Sequence, residues 1–325
     1  MTGTRTGRRR LVRAGLGVAA AALAGCAAHP GPARRLRLAT GPRGGPYNAF
    51  GRALARAAAA SGQHLEVLPV DTAASVDNLR RLDEGSVDLA LAMADVAQDA
   101  VLGREPFPRP AGVTALARVY VNYTHLLVPG DGPVHSVGDL AGRPVAAGAA
   151  GSGVQVVAGR ILRAAGLSGA TPAATPAYAR QLGLAESVAA LRAGTVAALF
   201  WSGGVPTPAL TALARELPLR FLPLDGYAGP LRERHGPVYT AVTLPAGAYG
   251  LAGPVGTLGV GNYLLARDAV AADAVSALLR VVFDRRRDLL REVTAGVRLE
   301  PRFAISTGEV PLHPGAAAYY RSVYG

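Results

Sequence analysis

The chain of 325 residues contains no lysine, one cysteine and one tryptophan. All its basic residues are arginine, and asparagine is scarce while alanine and glycine abound, which is typical of a GC-rich coding sequence. A single cysteine can form neither an intramolecular disulfide nor a cysteine cluster for a metal ion. His125, His235 and His313 do not have a metal-binding spacing either. We therefore expect no metal site.

Positive charge is not concentrated in one part of the mature sequence. Five arginines lie in the first 25 residues, which carry no acid, and without them the formal net charge falls from +12 to +7. The other arginines are scattered, with no dense basic run and no zinc-finger pattern, so nucleic-acid binding is not expected. A mild positive field that attracts small anions remains.

No catalytic motif is recognisable in the sequence. Ser152 stands in Ala150-Gly151-Ser152-Gly153-Val154, which is not the Gly-x-Ser-x-Gly turn of a serine hydrolase. Paired carboxylates, His-x-x-x-His, Gly-Lys-Ser/Thr and a helix-opening GxGxxG are also absent. The sequence thus predicts a protein that is not an enzyme and needs no cofactor.

The amino terminus has the pattern of an export signal. Arg8-Arg9-Arg10 precedes an apolar run over 14–23 that is too short to span a bilayer. The run ends in Leu23-Ala24-Gly25-Cys26, which resembles a bacterial lipobox. We predict a lipoprotein signal peptide over 1–25, a lipid anchor on Cys26 and a flexible tether over 26–35. The arginines suit export through either the Sec or the twin-arginine route.

A strand, a glycine loop and a helix follow the tether. Residues 36–40 alternate between apolar and polar, whereas apolar residues recur at helical spacing from Tyr47 onward. Gly44 and Gly45 between them leave little side chain to block a ligand. The N–H groups at the start of such a helix suit an anion such as a carboxylate. A tight turn without a ligand fits this stretch equally well.

Similar strand-to-loop transitions recur along the chain. Strands are predicted over 65–70, 87–92, 145–148 and 196–200, each followed by a polar or small-residue loop that opens a helix. In an open parallel sheet such loops share one edge, where ligands bind. The predicted ligand-binding residues in these five loops are Gly44, Gly45, Tyr47, Ser75, Asn78, Asp95, Gly151, Ser152, Gly153, Trp201, Gly204 and Pro206.

Several of these residues also have a purely structural interpretation. Ser75 and Asn78 suit a carboxylate, or cap the helix that follows, and both roles are compatible. Asp95 suits a ligand amine or a helix N-cap. Tyr47 and Trp201 suit a ligand or the core. The hydroxyl of Ser152 and the backbone beside it suit an anion at a helix start.

Seven motifs in one order resemble those of the TAXI-type solute receptors of TRAP transporters. The resemblance runs from Leu36 to Gly325, and the closing His-Pro-Gly-Ala-x-x-Tyr-Tyr run is its most specific match. The chain differs from that pattern at Ala74, at Val154 and at Asn122, where many members have Glu. The matching segments are 40–47, 74–79, 88–100, 139–153, 200–206, 244–249 and 313–320.

The resemblance implies an α/β, two-lobed periplasmic-binding-protein type II fold with an interlobe ligand cleft. Lobe one would take 36–122 and 243–325, and lobe two 124–240, with hinges near Tyr123 and Ala241. The implied partners are a small anionic solute, glutamate-like or a dicarboxylate, and a TRAP-type membrane permease. A lipid-anchored sensor that reports to a signalling protein is the alternative, since its binding lobes would be the same.

Overall fold

The computed structural model describes residues 33–169, 176–291, 293 and 299–325. The predicted signal peptide, Cys26 and most of the predicted tether lie outside these residues. Within them, no helix is both long and apolar enough to cross a membrane.

One mixed sheet of ten strands forms the centre of the described part. Its order is β2-β1-β3-β10-β4-β7-β5-β6, with β8 beside β4 and β9 beside β10. The strands are β1 (Arg34–Ala39), β2 (Leu65–Val70), β3 (Leu89–Met93), β4 (Val113–Pro129), β5 (Pro144–Ala146), β6 (Tyr178–Arg180), β7 (Ala198–Gly203), β8 (Leu219–Phe221), β9 (Tyr239–Leu244) and β10 (Val255–Arg267).

The sheet is not the open parallel sheet that the strand-and-helix pattern predicts. The long strands β4 and β10 pair antiparallel to each other at its centre, and β10 is also antiparallel to β3. Parallel pairs remain on either side, between β1, β2 and β3 and between β5, β6 and β7. The sequence pattern predicts two short extended pieces here, Val119-Tyr120 and 125–128, but β4 is one strand of 17 residues.

Helices follow most of the strands, as the sequence predicted. The sequence pattern predicts one long helix over 269–283 that continues through Arg285-Arg286-Arg287. This prediction is wrong at Arg285, whose φ of −104° and ψ of 15° interrupt the helical conformation and separate α8 from α9. The helices are α1 (Pro46–Ala59), α2 (Ser75–Asp83), α3 (Ala94–Leu102), α4 (Gly153–Ala164), α5 (Leu184–Arg192), α6 (Pro208–Glu216), α7 (Ala228–His235), α8 (Ala272–Asp284), α9 (Arg286–Arg291), α10 (Pro301–Ala304) and α11 (Pro314–Tyr324).

Two boundaries differ from the sequence-based expectation. β1 begins at Arg34, two residues before the predicted strand and within the range predicted as a tether, because Arg34 and Arg35 pair in parallel with Leu65 and Glu66. The Arg35 guanidinium also donates to the Glu66 carboxylate at 2.7 Å. β7 runs on to Gly203, so Trp201 lies in a strand rather than in the loop after it.

The closing His-Pro-Gly motif begins α11 and fixes it against α8. His313 is the N-cap, and its Nδ1 accepts from the Gly315 N–H at 3.1 Å. A Cβ on Gly315 would lie 2.2 Å from the Ala272 carbonyl oxygen, so only glycine allows this approach. Phe283 of α8 stacks on Tyr319, with ring centroids 5.4 Å apart. The motif therefore has a packing role.

Candidate functional site

One cavity collects residues from several of the predicted loops. It encloses about 620 Å³ of empty space, including the part that opens to solvent. The N-terminal ends of α1, α2, α4 and α5 all contribute to its wall. The lining residues are Gly41, Pro42, Gly45, Pro46, Tyr47, Ala73, Ala74, Ser75, Met93, Asn122, Gly148, Ala149, Ser152, Gly153, Val154, Leu182, Gly183, Leu184, Ser187, Phe200, Trp201 and Ser202.

Half of the twelve predicted ligand-binding residues line this cavity, and the other half do not. The six that line it come from four of the five loops that the sequence predicted: Gly45, Tyr47, Ser75, Ser152, Gly153 and Trp201. The six that lie outside the lining are Gly44, Asn78, Asp95, Gly151, Gly204 and Pro206.

Tyr47 and Ser75 form a buried polar network at the cavity wall. The Tyr47 hydroxyl donates to Asn262 Oδ1 at 2.5 Å and lies 3.3 Å from Ser75 Oγ. Ser75 Oγ accepts from the Met93 N–H at 3.1 Å. Burial raises the pKa of Tyr47, so its hydroxyl stays protonated. Ser75 does not cap α2 as predicted: the N-cap is Ala74, because the Ser75 hydroxyl is engaged with β3.

Ser152 caps α4 at the cavity wall. Its Oγ accepts from the Gln155 N–H at 3.2 Å and donates to the Ala149 carbonyl at 2.7 Å. Gly153 follows, and a Cβ there would lie 2.8 Å from Ser75 Oγ and 2.5 Å from Met93 Sδ. Glycine at this position therefore lets α4 approach α2 and β3 closely.

The start of α2 is already occupied by the neighbouring loop. The Gly151 carbonyl oxygen accepts from the N–H groups of Val76 at 3.0 Å and Asp77 at 3.2 Å. Gly151 has a left-handed φ of +75°, which its lack of a side chain permits. Of the helix ends at the cavity, α4 and, beyond Pro46, which has no N–H, α1 are better placed than α2 to offer N–H groups to an anion.

Asn78 and Asp95 are engaged inside the protein. Asn78 is fully buried, and its Nδ2 donates to the carbonyls of Thr40 at 2.5 Å and Leu91 at 2.7 Å. Asp95 is not the N-cap of α3, which is Met93. Because Asp95 lies one residue inside the helix, its carboxylate faces Arg160 of α4 instead.

A buried charged cluster joins α3 to α4. Arg160 Nη1 donates to Asp95 Oδ2 at 3.3 Å and to the Tyr239 hydroxyl oxygen at 2.8 Å. Arg160 Nη2 donates to Asp99 Oδ2, and the Tyr239 hydroxyl donates to Asp95 at 2.6 Å. Burial raises the pKa of Asp99 to about 6, against the opposing effect of Arg160.

The remaining predicted residues lie around the cavity rim or away from it. Trp201 lines the cavity while its Nε1 donates to Thr207 Oγ1 at 3.0 Å. The Gly204 carbonyl accepts from the Thr207 hydroxyl at 2.7 Å. Pro206 and Gly44 are exposed. These contacts give Gly204 a role in fixing the loop after β7.

Asn122 is a lining residue that the sequence-based site did not include. Only 3% of it is exposed, and its Nδ2 donates to Asn262 Oδ1 at 3.3 Å. Its Oδ1 has no hydrogen-bond partner among the described residues. A signal existed in the sequence: an asparagine inside the apolar run of β4, in a chain that uses asparagine rarely.

The cavity lining is electrically neutral. Among the described residues, no lining residue is an Asp, Glu, Arg or His. The first turns of α1 and α4 carry no acidic residue, and α1 has no side-chain cap. No group of three or more potential metal-ligating side chains occurs in the described ranges. The fixed positive potential at the cavity therefore comes from helix ends.

The chain belongs to the NMT1-like family, whose model matches residues 38–323. Solved structures with a similar fold include a periplasmic transporter, at 13% identity and a TM-score of 0.50, which covers 91% of this chain and 94% of its own. A protein from Bordetella bronchiseptica RB50 has 16% identity and a TM-score of 0.50, with 88% and 81% covered. The periplasmic aliphatic sulphonate binding protein SsuA from Escherichia coli has 20% identity and a TM-score of 0.46, with 88% and 78% covered.

The likeness to the two structures with a TM-score of 0.50 confirms the predicted class of fold. The chain is mixed α/β, and its fold is that of the type II periplasmic binding proteins. At such identities the likeness extends to the fold and not to the ligand.

Proposed function

We propose that the protein is an extracytoplasmic solute-binding receptor that captures a small organic anion in this cavity without chemically changing it. The observation that carries the proposal is the neutral cavity on which the starts of α1 and α4 converge. Helix starts offer unpaired N–H groups and partial positive charge, which favour an anionic group by about 0.3–1 kcal/mol each at exposed sites. The family and the fold support the same conclusion.

We further propose that the receptor delivers its solute to a membrane transporter. The resemblance to TAXI-type receptors points to a TRAP-type permease and to a glutamate-like or dicarboxylate solute. Export and a lipid anchor on Cys26 would place the receptor outside the cytoplasmic membrane. A lipid-anchored sensor remains the second candidate, because the same cavity would serve it.

Closure of two lobes would couple binding to recognition by the transporter. In the proposed division, 36–122 with 243–325 forms one lobe and 124–240 the other. The cavity lining draws on both, with Tyr47 and Ser75 from the first and Ser152 and Trp201 from the second. A solute that contacts both lobes binds the closed state better and so shifts the population towards it.

A pair of matched variants tests the proposal. Ala149 lines the cavity, whereas its neighbour Ala150 is exposed and does not. A thermal-shift screen of organic acids and amino acids identifies solutes that raise the melting temperature, and calorimetry then gives their affinities. We expect Ala149→Leu to weaken binding at least tenfold by filling the cavity, and Ala150→Leu to leave it unchanged.

Two results would contradict the proposal. One is that no organic acid or amino acid raises the melting temperature of the wild-type protein. The other is that Ala149→Leu binds the identified solute as tightly as wild type does. Chemical conversion of that solute by the purified protein would show instead that it is an enzyme.

A further inference from the structure

None of the described residues that line the cavity is charged, so none of them can neutralise a second charge on the solute. Three acidic residues close to lining residues are already engaged. Asp95 pairs with Arg160, Asp77 pairs with Arg81 and accepts from the Ala73 N–H at 3.1 Å, and the exposed Glu186 accepts from the Gly183 N–H at 2.9 Å. An ammonium group placed in such a site loses its hydration without gaining a carboxylate partner, which is costly. A second carboxylate would likewise find no arginine among the lining residues.

One polar side chain of the cavity wall nevertheless has an atom without a hydrogen-bond partner among the described residues. Asn122 lines the cavity and is nine-tenths buried, and its Oδ1 has no partner among the described residues. The other atom of the Asn122 amide shows which atom is the nitrogen. It lies against Asn262 Oδ1, an acceptor that also receives the Tyr47 hydroxyl hydrogen, so it is the donor Nδ2. Oδ1 is therefore an acceptor, and an unpaired buried acceptor costs about 1–3 kcal/mol.

The uncharged lining and the unpaired Asn122 oxygen together define the chemistry of the ligand. Its anionic group lies at the starts of α1 and α4, where the backbone supplies donors and no acid competes. Its second polar group donates a hydrogen bond to Asn122 Oδ1 and carries no charge. Its remainder is apolar, because the lining includes Met93, Phe200 and Trp201.

We propose that the solute is a hydroxy acid with a single negative charge, whose hydroxyl donates to Asn122 Oδ1. This inference rests on the proposed function and narrows it. Glutamate and dicarboxylates, which the family resemblance implies, each carry a further charged group for which the lining has no partner. A neutral hydroxyl satisfies Asn122 without a charge to desolvate.

Matched acids test the inference on the wild-type protein by calorimetry. At each of two chain lengths, three acids differ only at carbon 2: propanoate, 2-hydroxypropanoate and alanine, then 4-methylpentanoate, 2-hydroxy-4-methylpentanoate and leucine. Both enantiomers of each substituted acid are included. We expect one 2-hydroxy acid to bind about tenfold or more tightly than the unsubstituted acid, as one satisfied buried hydrogen bond implies. The amino acid should bind more weakly than the hydroxy acid.

Substitutions at Asn122 assign the preference to this residue. Asn122→Leu keeps the size and removes the acceptor, so the hydroxy and unsubstituted acids should bind with equal affinity. Asn122→Asp supplies a carboxylate and should shift the preference towards the amino acid. Ala150 is exposed and does not line the cavity, so Ala150→Leu is the control and should keep the wild-type preference. Circular dichroism confirms that each variant is folded.

The outcomes separate this inference from the proposed function. Tighter binding of the amino acid overturns the hydroxy-acid inference and leaves a solute receptor. Equal binding of the hydroxy and unsubstituted acids to wild type overturns the role of Asn122. If none of the six acids binds, while glutamate or a dicarboxylate from the wider screen does, the inference fails and the receptor function stands. If no compound of either set binds, both fail.

Discussion

The four asparagines of the chain, at positions 48, 78, 122 and 262, are all buried. Three of them have partners for both ends of the amide, as Asn78 does through Thr72, Thr40 and Leu91. Asn122 is the exception at its Oδ1. Asn122 is thus the one buried asparagine whose amide oxygen is unpaired among the described residues.

His125 gives a prediction about stability and pH. It is fully buried, its Nε2 lies 3.0 Å from the Tyr249 hydroxyl, and burial lowers its pKa to about 4. In the unfolded chain the histidine binds a proton once the pH falls below its ordinary pKa of about 6.5. In the folded protein it binds one only when the pH falls to about 4. Lowering the pH through this window therefore favours the unfolded state, by about 3 kcal/mol in total.

Urea unfolding at pH 7 and pH 4 measures this effect. We expect wild type to lose about 3 kcal/mol more free energy of unfolding on acidification than His125→Gln does. Burial lowers the pKa of His235 to about 4 as well, but His235 is present in both proteins, so its contribution cancels. Equal losses in the two proteins would show that His125 titrates normally in the folded state.

At the scale of elements, the junction between α3 and α4 depends on Arg160. Removing its guanidinium takes away the cation that pairs directly with the buried carboxylates of both Asp95 and Asp99. Breaking a buried charge pair on one side typically costs about 3–5 kcal/mol. We expect Arg160→Met to lower the free energy of unfolding by that order, measured in urea at pH 7.

The same helix offers the control for Arg160. Arg163 is exposed, and Arg163→Met should change the free energy of unfolding by less than about 0.5 kcal/mol. A triple variant, Asp95→Asn, Asp99→Leu and Arg160→Met, should regain part of the free energy of unfolding that Arg160→Met loses. The reason is that it no longer contains the two uncompensated charges. A loss for Arg160→Met no larger than that for Arg163→Met would contradict this account of the junction.

The sequence predicts the presence of strands and helices better than it predicts which residues cap the helices. Glycine-loop starts such as those of α1 and α4 follow from local periodicity and small residues, and the structure confirms both helices. Ser75 and Asp95 were predicted as caps because their residue types favour N-caps. In the fold, tertiary partners compete for these side chains: Met93 N–H for Ser75, and Arg160 for Asp95. Such partners are distant in sequence, so no local pattern reveals them.

At the scale of the whole molecule, the sequence predicted only part of how the loops come together at the cavity. Alternation of strands and helices brings Tyr47, Ser75, Ser152 and Trp201 to one cavity, although the antiparallel β4 and β10 at the centre of the sheet were not predicted. Asn122 reaches the same cavity from the middle of β4, not from a loop. A rule that searches strand ends alone cannot find it.

The whole-molecule consequence of the proposed function is a coupling between solute capture and the arrangement of the two proposed lobes. Gly151 already contacts the start of α2 across their proposed boundary, through its carbonyl oxygen and the N–H groups of Val76 and Asp77. A solute held between Tyr47 and Ser152 would add further contacts between the two proposed lobes. The cavity wall is where such a change should be observed.

Trp201 reports on the cavity directly, because it lines the wall and is the only tryptophan of the chain. The central claim is that a small organic anion binds there. The decisive measurement is a titration of Trp201 fluorescence with each acid that raises the melting temperature. We predict a saturable change in emission, with the affinity that calorimetry gives, which Ala149→Leu abolishes and Ala150→Leu preserves. Calorimetric binding that leaves Trp201 emission unchanged and survives Ala149→Leu would contradict the claim.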